Sequence, residues 1–124
     1  MPILFGLYDF KDFTDGKPVI LTEGIKDALV IKQFYPYVLA VNTSGLTSKT
    51  MAIVEELTDT FVLAYDNDNA GNTGAEVDRV KILKKDKDAF RLLPYKGYKD
   101  FAGMIGNSEG MKDLENAIFR VQKF

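Results

Sequence analysis

The chain has neither cysteine nor histidine among its 124 residues, and these two absences exclude more chemistry than any other feature of its composition. No zinc finger, thiolate nucleophile, Ser-His-Asp triad or imidazole proton shuttle can be built. Catalysis is confined to carboxylates, lysine, arginine, tyrosine, hydroxyls and bound cofactors. A chain without disulfides is consistent with a cytoplasmic address. Long apolar runs are missing too: Tyr37 to Val41 and Phe61 to Tyr65 reach about a quarter of the length a membrane-spanning helix needs. The opening MPILFGLYDF has no basic stretch before its apolar residues and no small-residue cleavage site, so it does not read as a secretory signal. These features predict a soluble protein with no membrane partner.

Charge of one sign is also lacking, since sixteen Lys and Arg against eighteen Asp and Glu leave a net charge of -2. That balance argues against a general polyanion binder. The distribution is uneven, however. From Arg79 to Lys99, eight basic residues stand against Asp86 and Asp88, a local +6 that leaves the remainder at -8. This strip is either a solvated helix face or a phosphate-facing surface.

What is present describes a folded domain: 46% apolar and 12% aromatic residues, with 27% charged. A chain of this size buries roughly two thirds of its unfolded surface around one core. Strands and helices alternate along it. Pro18 to Thr22, Tyr37 to Asn42 and Phe61 to Tyr65 are short apolar runs of the kind buried on both faces of a parallel sheet, and Ala89 to Leu93 is a fourth, stopped by Pro94. A first helix carries Ile25, Ala28, Leu29 and Lys32 on one face and ends before Pro36. Thr47 or Ser48 can cap a second bearing Met51, Val54 and Leu57. A third spans about Thr73 to Lys85 with Val77, Val80 and Leu83. A last helix, capped by Ser108, places Met111, Leu114, Ile118 and Val121 at helical spacing. The order predicts an α/β fold, a three-layer α/β/α sandwich around a mostly parallel sheet of four strands.

In such sheets ligands bind beyond the carboxyl ends of the strands. Here those positions are acidic. Glu23 and Gly24 follow the first strand, Asp66-Asn67-Asp68-Asn69-Ala70-Gly71 the third, and Lys99-Asp100 comes after the fourth and a short loop. Asp27 lies one turn past Glu23 and faces the same rim. Asp, Asn and Gly are also ordinary turn formers, but their coincidence at one edge favours a site. Clustered carboxylates repel unless a cation neutralises them, and Mg²⁺ prefers hard oxygen ligands. Two other readings of these loops fail. An EF-hand would need an oxygen ligand where Ala70 stands and a bidentate glutamate where Val77 stands, and Gly45 to Thr50 lacks the second glycine of a phosphate-binding P-loop.

These residues resemble the Toprim domain, the metal-binding module shared by DnaG-type primases, topoisomerases and certain nucleases. The likeness is greatest to phage and bacterial DNA primases. Leu4 to Lys11 is similar to the primase lead-in segment, Glu23-Gly24-Ile25-Lys26-Asp27 to its Glu-Gly-x-x-Asp motif, and Asp66 to Gly71 to its Asp-x-Asp-x-Ala-Gly loop. The resemblance covers residues 4 to about 105 and divides the chain into a lead-in over 1–17, a Rossmann-like Toprim core over 18–105 and a closing helix over 106–124. It implies that Glu23, Asp66 and Asp68 are catalytic and hold Mg²⁺ or Mn²⁺, with Asp27 and Asp100 in the same metal centre. The second acid of the family's last motif is replaced, since Phe101-Ala102-Gly103 follows Asp100. Lys11, Arg79, Lys84, Lys85, Lys96 and Lys99 would meet nucleic acid.

The implied activity is nucleotidyl transfer for RNA primer synthesis in DNA replication, with single-stranded template and nucleotides as partners and a replicative helicase or other primase domains beside it. Such primases also carry a zinc-binding template module and a further polymerase subdomain. A chain without cysteine cannot supply the first, so the resemblance implies a fragment or a small stand-alone relative, inactive as a primase in isolation. Alternatives are a metal-dependent Toprim nuclease, with water replacing the primer hydroxyl, or a non-catalytic module binding metal or a partner protein. A phosphotransferase with Asp66 as nucleophile leaves Glu23-Gly24 unexplained.

Overall fold

The computed structural model describes residue 6 and residues 17–41 and 45–121, so the lead-in segment with Lys11 lies outside the described residues. Four strands, β1 (Val19–Thr22), β2 (Val38–Ala40), β3 (Thr60–Ala64) and β4 (Asp88–Arg91), alternate with α1 (Ile25–Lys32), α2 (Ser48–Val54) and α3 (Asn69–Leu83). A short 3-10 helix at Ala102–Met104 and α4 (Ser108–Val121) complete the chain. The strands form one sheet in the order β2-β1-β3-β4, and every pairing is parallel. The three-layer α/β/α expectation therefore holds, with each strand start or end within about two residues of its predicted place.

Burial follows from the strand sequences. All of β1 is buried, because a central strand is covered on both faces, whereas β4 alternates exposed and half-buried residues at the edge. Leu21, Leu39, Phe61 and Leu63 meet Met51 and Val54 of α2 and Ala75 and Ile82 of α3 on one face. Ile20, Val38 and Val62 meet Ala28 and Ile31 of α1 and Leu114 and Ile118 of α4 on the other. The chain moves from β1 outward to β2, then crosses back to β3 on the other side of β1. The crevice where this direction reverses opens between the carboxyl ends of β1 and β3.

Three helix readings are corrected. In α1 the buried residues are Asp27, Ala28, Val30 and Ile31, while Ile25 and Leu29 are 46% and 52% exposed. Apolar residues surround most of this short helix, so packing and not periodicity selects the inner face. In α3 the buried residues are Gly71, Ala75, Asp78 and Ile82, and Val77, Val80 and Leu83 face outward. The small residues let the helix lie close on the sheet, and the helix begins at Asn69 because Asp68 caps it: Oδ1 accepts the Gly71 N–H at 2.6 Å. In α4 the capping side chain belongs to Asn107, whose Oδ1 accepts the Gly110 N–H at 2.8 Å, and Ser108 is the first helical residue. The α2 cap is Thr47, as one of the two predicted candidates.

Candidate metal centre

Thr22 ends β1 beside Ala64 at the end of β3, so the residues that follow, Glu23 and Tyr65-Asp66, leave the sheet next to each other. Glu23 Oε1 accepts the Asp66 N–H at 2.8 Å. Two further bonds close the rim: Asn67 N–H donates to the Lys99 carbonyl at 2.5 Å, and Asp27 Oδ1 accepts the Ala102 N–H at 2.8 Å. Segments far apart in sequence are thereby bound edge to edge. Among the described residues, one carboxylate oxygen each from Asp27, Asp66 and Asp100 lies within 4.8 Å of the others. An open cleft of about 490 Å³ adjoins them, lined by Glu23, Gly24, Ile25, Lys26, Asp27, Asp100 and Ala102.

This crowding shows in the acidities. Burial pushes the Asp66 carboxyl up to about 6, and the charges of Glu23, Asp27, Asp100 and Asp68 push it the same way. Asp27 is also raised, by burial first, against the opposing pull of the Ala102 N–H, with Asp100 and Glu23 adding repulsion. The site holds more negative charge than its protein surroundings neutralise.

Asp68 sits differently from the other acids. One oxygen is committed to the α3 cap, and the other lies 3.6 Å from Lys99 Nζ in a partly exposed pair of the kind that contributes little. Gly71 is required next to it: a Cβ there would fall 2.1 Å from the Asp66 carbonyl oxygen. Asp100 turns one oxygen to the Gly103 N–H at 2.7 Å, closing the loop over Phe101 and Ala102.

The basic residues divide. Lys99 stands at the acidic rim and Lys96 is exposed in the same loop. Arg79 lies on α3, and Lys84 and Lys85 follow its C-terminal end, with Lys84 about 24 Å along the helix axis from Asp68 at ~1.5 Å rise per residue. Arg79 and Lys85 pair with Glu76 and Glu55 at 3.3 Å each.

Arg91, counted only as part of the basic strip, is central to the site. Its Nη1 donates to the carbonyls of Leu63, Tyr65 and Leu92 at 3.0, 2.8 and 3.1 Å. Its Nη2 donates to the Asp66 carbonyl and Asn72 Oδ1, both at 2.9 Å. The guanidinium fork thus clamps the backbone that presents Asp66. Its place at the end of a strand, where the acids were sought, was the available signal.

A family model described as Toprim-like matches residues 20–105, a span that contains every one of these acids. The chain belongs to the Toprim-like family. No curated protein sequence matches it. Among solved structures, the Toprim domain is similar to a DnaG primase catalytic domain bound to single-stranded DNA, at 20% identity and a TM-score of 0.73, covering 94% of this chain and 39% of that one. The Aquifex aeolicus primase, with zinc-binding and RNA polymerase domains, matches at 25% identity and a TM-score of 0.71 over 92% of this chain and 29% of that one. The primase fragment of the bacteriophage T7 primase-helicase matches at 23% identity and 0.63 over 98% and 48%. The chain thus spans under half of each of these three primase structures. Its architecture is that of the Toprim domain of DNA primase catalytic cores. Among the described residues, no helix is long and apolar enough to cross a membrane.

Proposed function

We propose that this Toprim domain is the nucleotidyl-transfer centre of a DNA primase, in which Glu23, Asp66 and Asp68, with Asp27 and Asp100, hold Mg²⁺ or Mn²⁺. One observation carries the reading: carboxylate oxygens of Asp27, Asp66 and Asp100 converge within 4.8 Å at the switch-point crevice. The donor set fits a hard divalent cation, since it consists of carboxylate oxygens, and burial first, with the neighbouring acids adding repulsion, raises the Asp66 carboxyl to about 6. When bound, such an ion neutralises charge on phosphoryl oxygens and orients the attacking hydroxyl.

The chain's own residues supply the frame. Glu23 fixes the Asp66 backbone and would take the proton of the substrate hydroxyl, Asp27 ties α1 to the Asp100 loop, and Arg91 holds the Asp66 carbonyl. The nucleophile comes from the substrate, so the absence of histidine and cysteine is no obstacle. Lys96 and Lys99 hold nucleic-acid backbone beside the acids, with Arg79, Lys84 and Lys85 along α3, and Lys11 joins them. Single-stranded DNA and nucleotides are the partners, with a helicase or further primase domains supplying the rest of the machine. As a unit, the domain comprises the lead-in over 1–17, the core over 18–105 and the closing helix.

Isothermal titration with Mg²⁺ and Mn²⁺, repeated on Asp66→Ala/Asp68→Ala, tests the reading. We expect saturable binding by the wild type and its loss in the variant. Failure of the wild type to bind either ion would overturn it. Manganese-dependent plasmid nicking that disappears in the variant would replace nucleotidyl transfer with hydrolysis.

A further inference from the structure

A buried carboxylate that none of the site chemistry uses bonds to the residue just before Asp66. Asp78, in the middle of α3, is 3% exposed and shares the helix's buried face with Ala75 and Ile82, which belong to the apolar core cluster. Its Oδ2 accepts the Tyr65 hydroxyl at 2.6 Å and the Leu46 N–H at 3.2 Å. Its Oδ1 lies 3.5 Å from Lys81 Nζ, which also donates to the Leu46 carbonyl at 2.7 Å. The backbone is moulded to this group. Gly45 adopts φ +64°, and a Cβ there would meet Oδ2 at 2.9 Å. Burying a charge in an apolar layer is costly, and an apolar residue of similar volume is often no less stable. An apolar residue could therefore fill this place in α3 at little cost.

Its contacts do suggest an explanation. Tyr65 immediately precedes Asp66, and the peptide joining them is held at the Tyr65 carbonyl by Arg91 and at the Asp66 N–H by Glu23. The Tyr65 side chain, 1% exposed, is the remaining handle on that strand end, and Asp78 holds its tip. We propose that Asp78 is a positioning residue for the metal centre, which acts through the Tyr65 hydroxyl to set the end of β3 and with it the Asp66 carboxylate.

The inference rests on the metal-centre reading, and Mn²⁺ is the probe for both. Mn²⁺ affinity and the electron paramagnetic resonance line shape of the bound ion are measured with melting temperature for wild type, Tyr65→Phe, Asp78→Asn and Asp78→Leu. Tyr65→Phe and Asp78→Leu should weaken Mn²⁺ binding about tenfold and alter the line shape, the size of effect that residues behind metal ligands produce. Asp78→Asn should rescue affinity to within about twofold, because an amide oxygen can accept from both Tyr65 and Leu46. Tyr65→Phe removes one hydroxyl and keeps the ring, so it remains informative if Asp78→Leu does not fold. A folded Tyr65→Phe protein with wild-type affinity and line shape would overturn the inference alone, as would Asp78→Asn binding as weakly as Asp78→Leu. A wild-type chain that binds no Mn²⁺ would overturn the metal-centre reading and this inference with it.

Discussion

Asp68 joins two roles in one side chain, and substitution can separate them. It is an acid at the rim and also the residue that starts α3, since Oδ1 accepts the Gly71 N–H. Asn caps a helix about as well as Asp, whereas Ala forfeits about 1 kcal/mol. Asp68→Asn should therefore weaken divalent-metal binding while leaving the melting temperature of the metal-free protein unchanged or slightly raised. Asp68→Ala should lose both metal affinity and about 1 kcal/mol of stability, read by calorimetric titration and thermal melting. The position of Asp68 just beyond a strand end was legible in the sequence. The capping role was not, because the apolar spacing places the helix start near Thr73 whereas it lies at Asn69.

At the level of the element, α3 is shaped by how near it must come to the sheet. Its two interior glycines differ in this respect. A Cβ on Gly71 would strike the Asp66 carbonyl at 2.1 Å, while one on Gly74 would meet only Tyr65 Cδ2, at 4.0 Å. Gly71→Ala must displace backbone that carries a site residue, and the overpacking should cost about 2 kcal/mol and reduce metal affinity. Gly74→Ala should stabilise the protein by up to about 1 kcal/mol through helix propensity, with metal binding unchanged. Chemical denaturation of the two variants checks the contrast. The inward face of α3 departs from the sequence pattern for the same reason: Val77, Val80 and Leu83 form the more apolar stripe, but close approach selects Gly71 and Ala75, and the Tyr65 hydroxyl makes Asp78 acceptable inside.

Across the whole molecule, the acid cluster ties folding stability to pH and to metal. The folded-state value of Asp66, about 6, lies above its ordinary 3.8. Between those values the folded chain holds more proton at this group than the unfolded chain does. Its contribution to stability is present in full below the lower value and is lost as pH rises through the upper one. In chelator, raising pH from 5 to 7 should therefore lower the melting temperature of wild type relative to Asp66→Asn. Saturating Mg²⁺ at pH 7 should recover that loss, and metal affinity should fall as pH drops through about 6, because protons compete for the same oxygens. Melting curves at the two pH values, with and without metal, read all of this.

The order of elements, the buried parallel strands and the acids beyond their ends were determined by the sequence itself, because apolar run length and turn chemistry act over a few neighbouring residues. Glu23, Asp27, Asp66 and Asp100 could be placed at one edge on that basis alone. Only the tertiary structure decided which helix faces turned inward, that Arg91 clamps the Asp66 backbone and that Asp78 braces Tyr65. Those outcomes depend on a crossover that sets β3 beside β1 and on contacts between residues far apart in the chain, which no local pattern encodes.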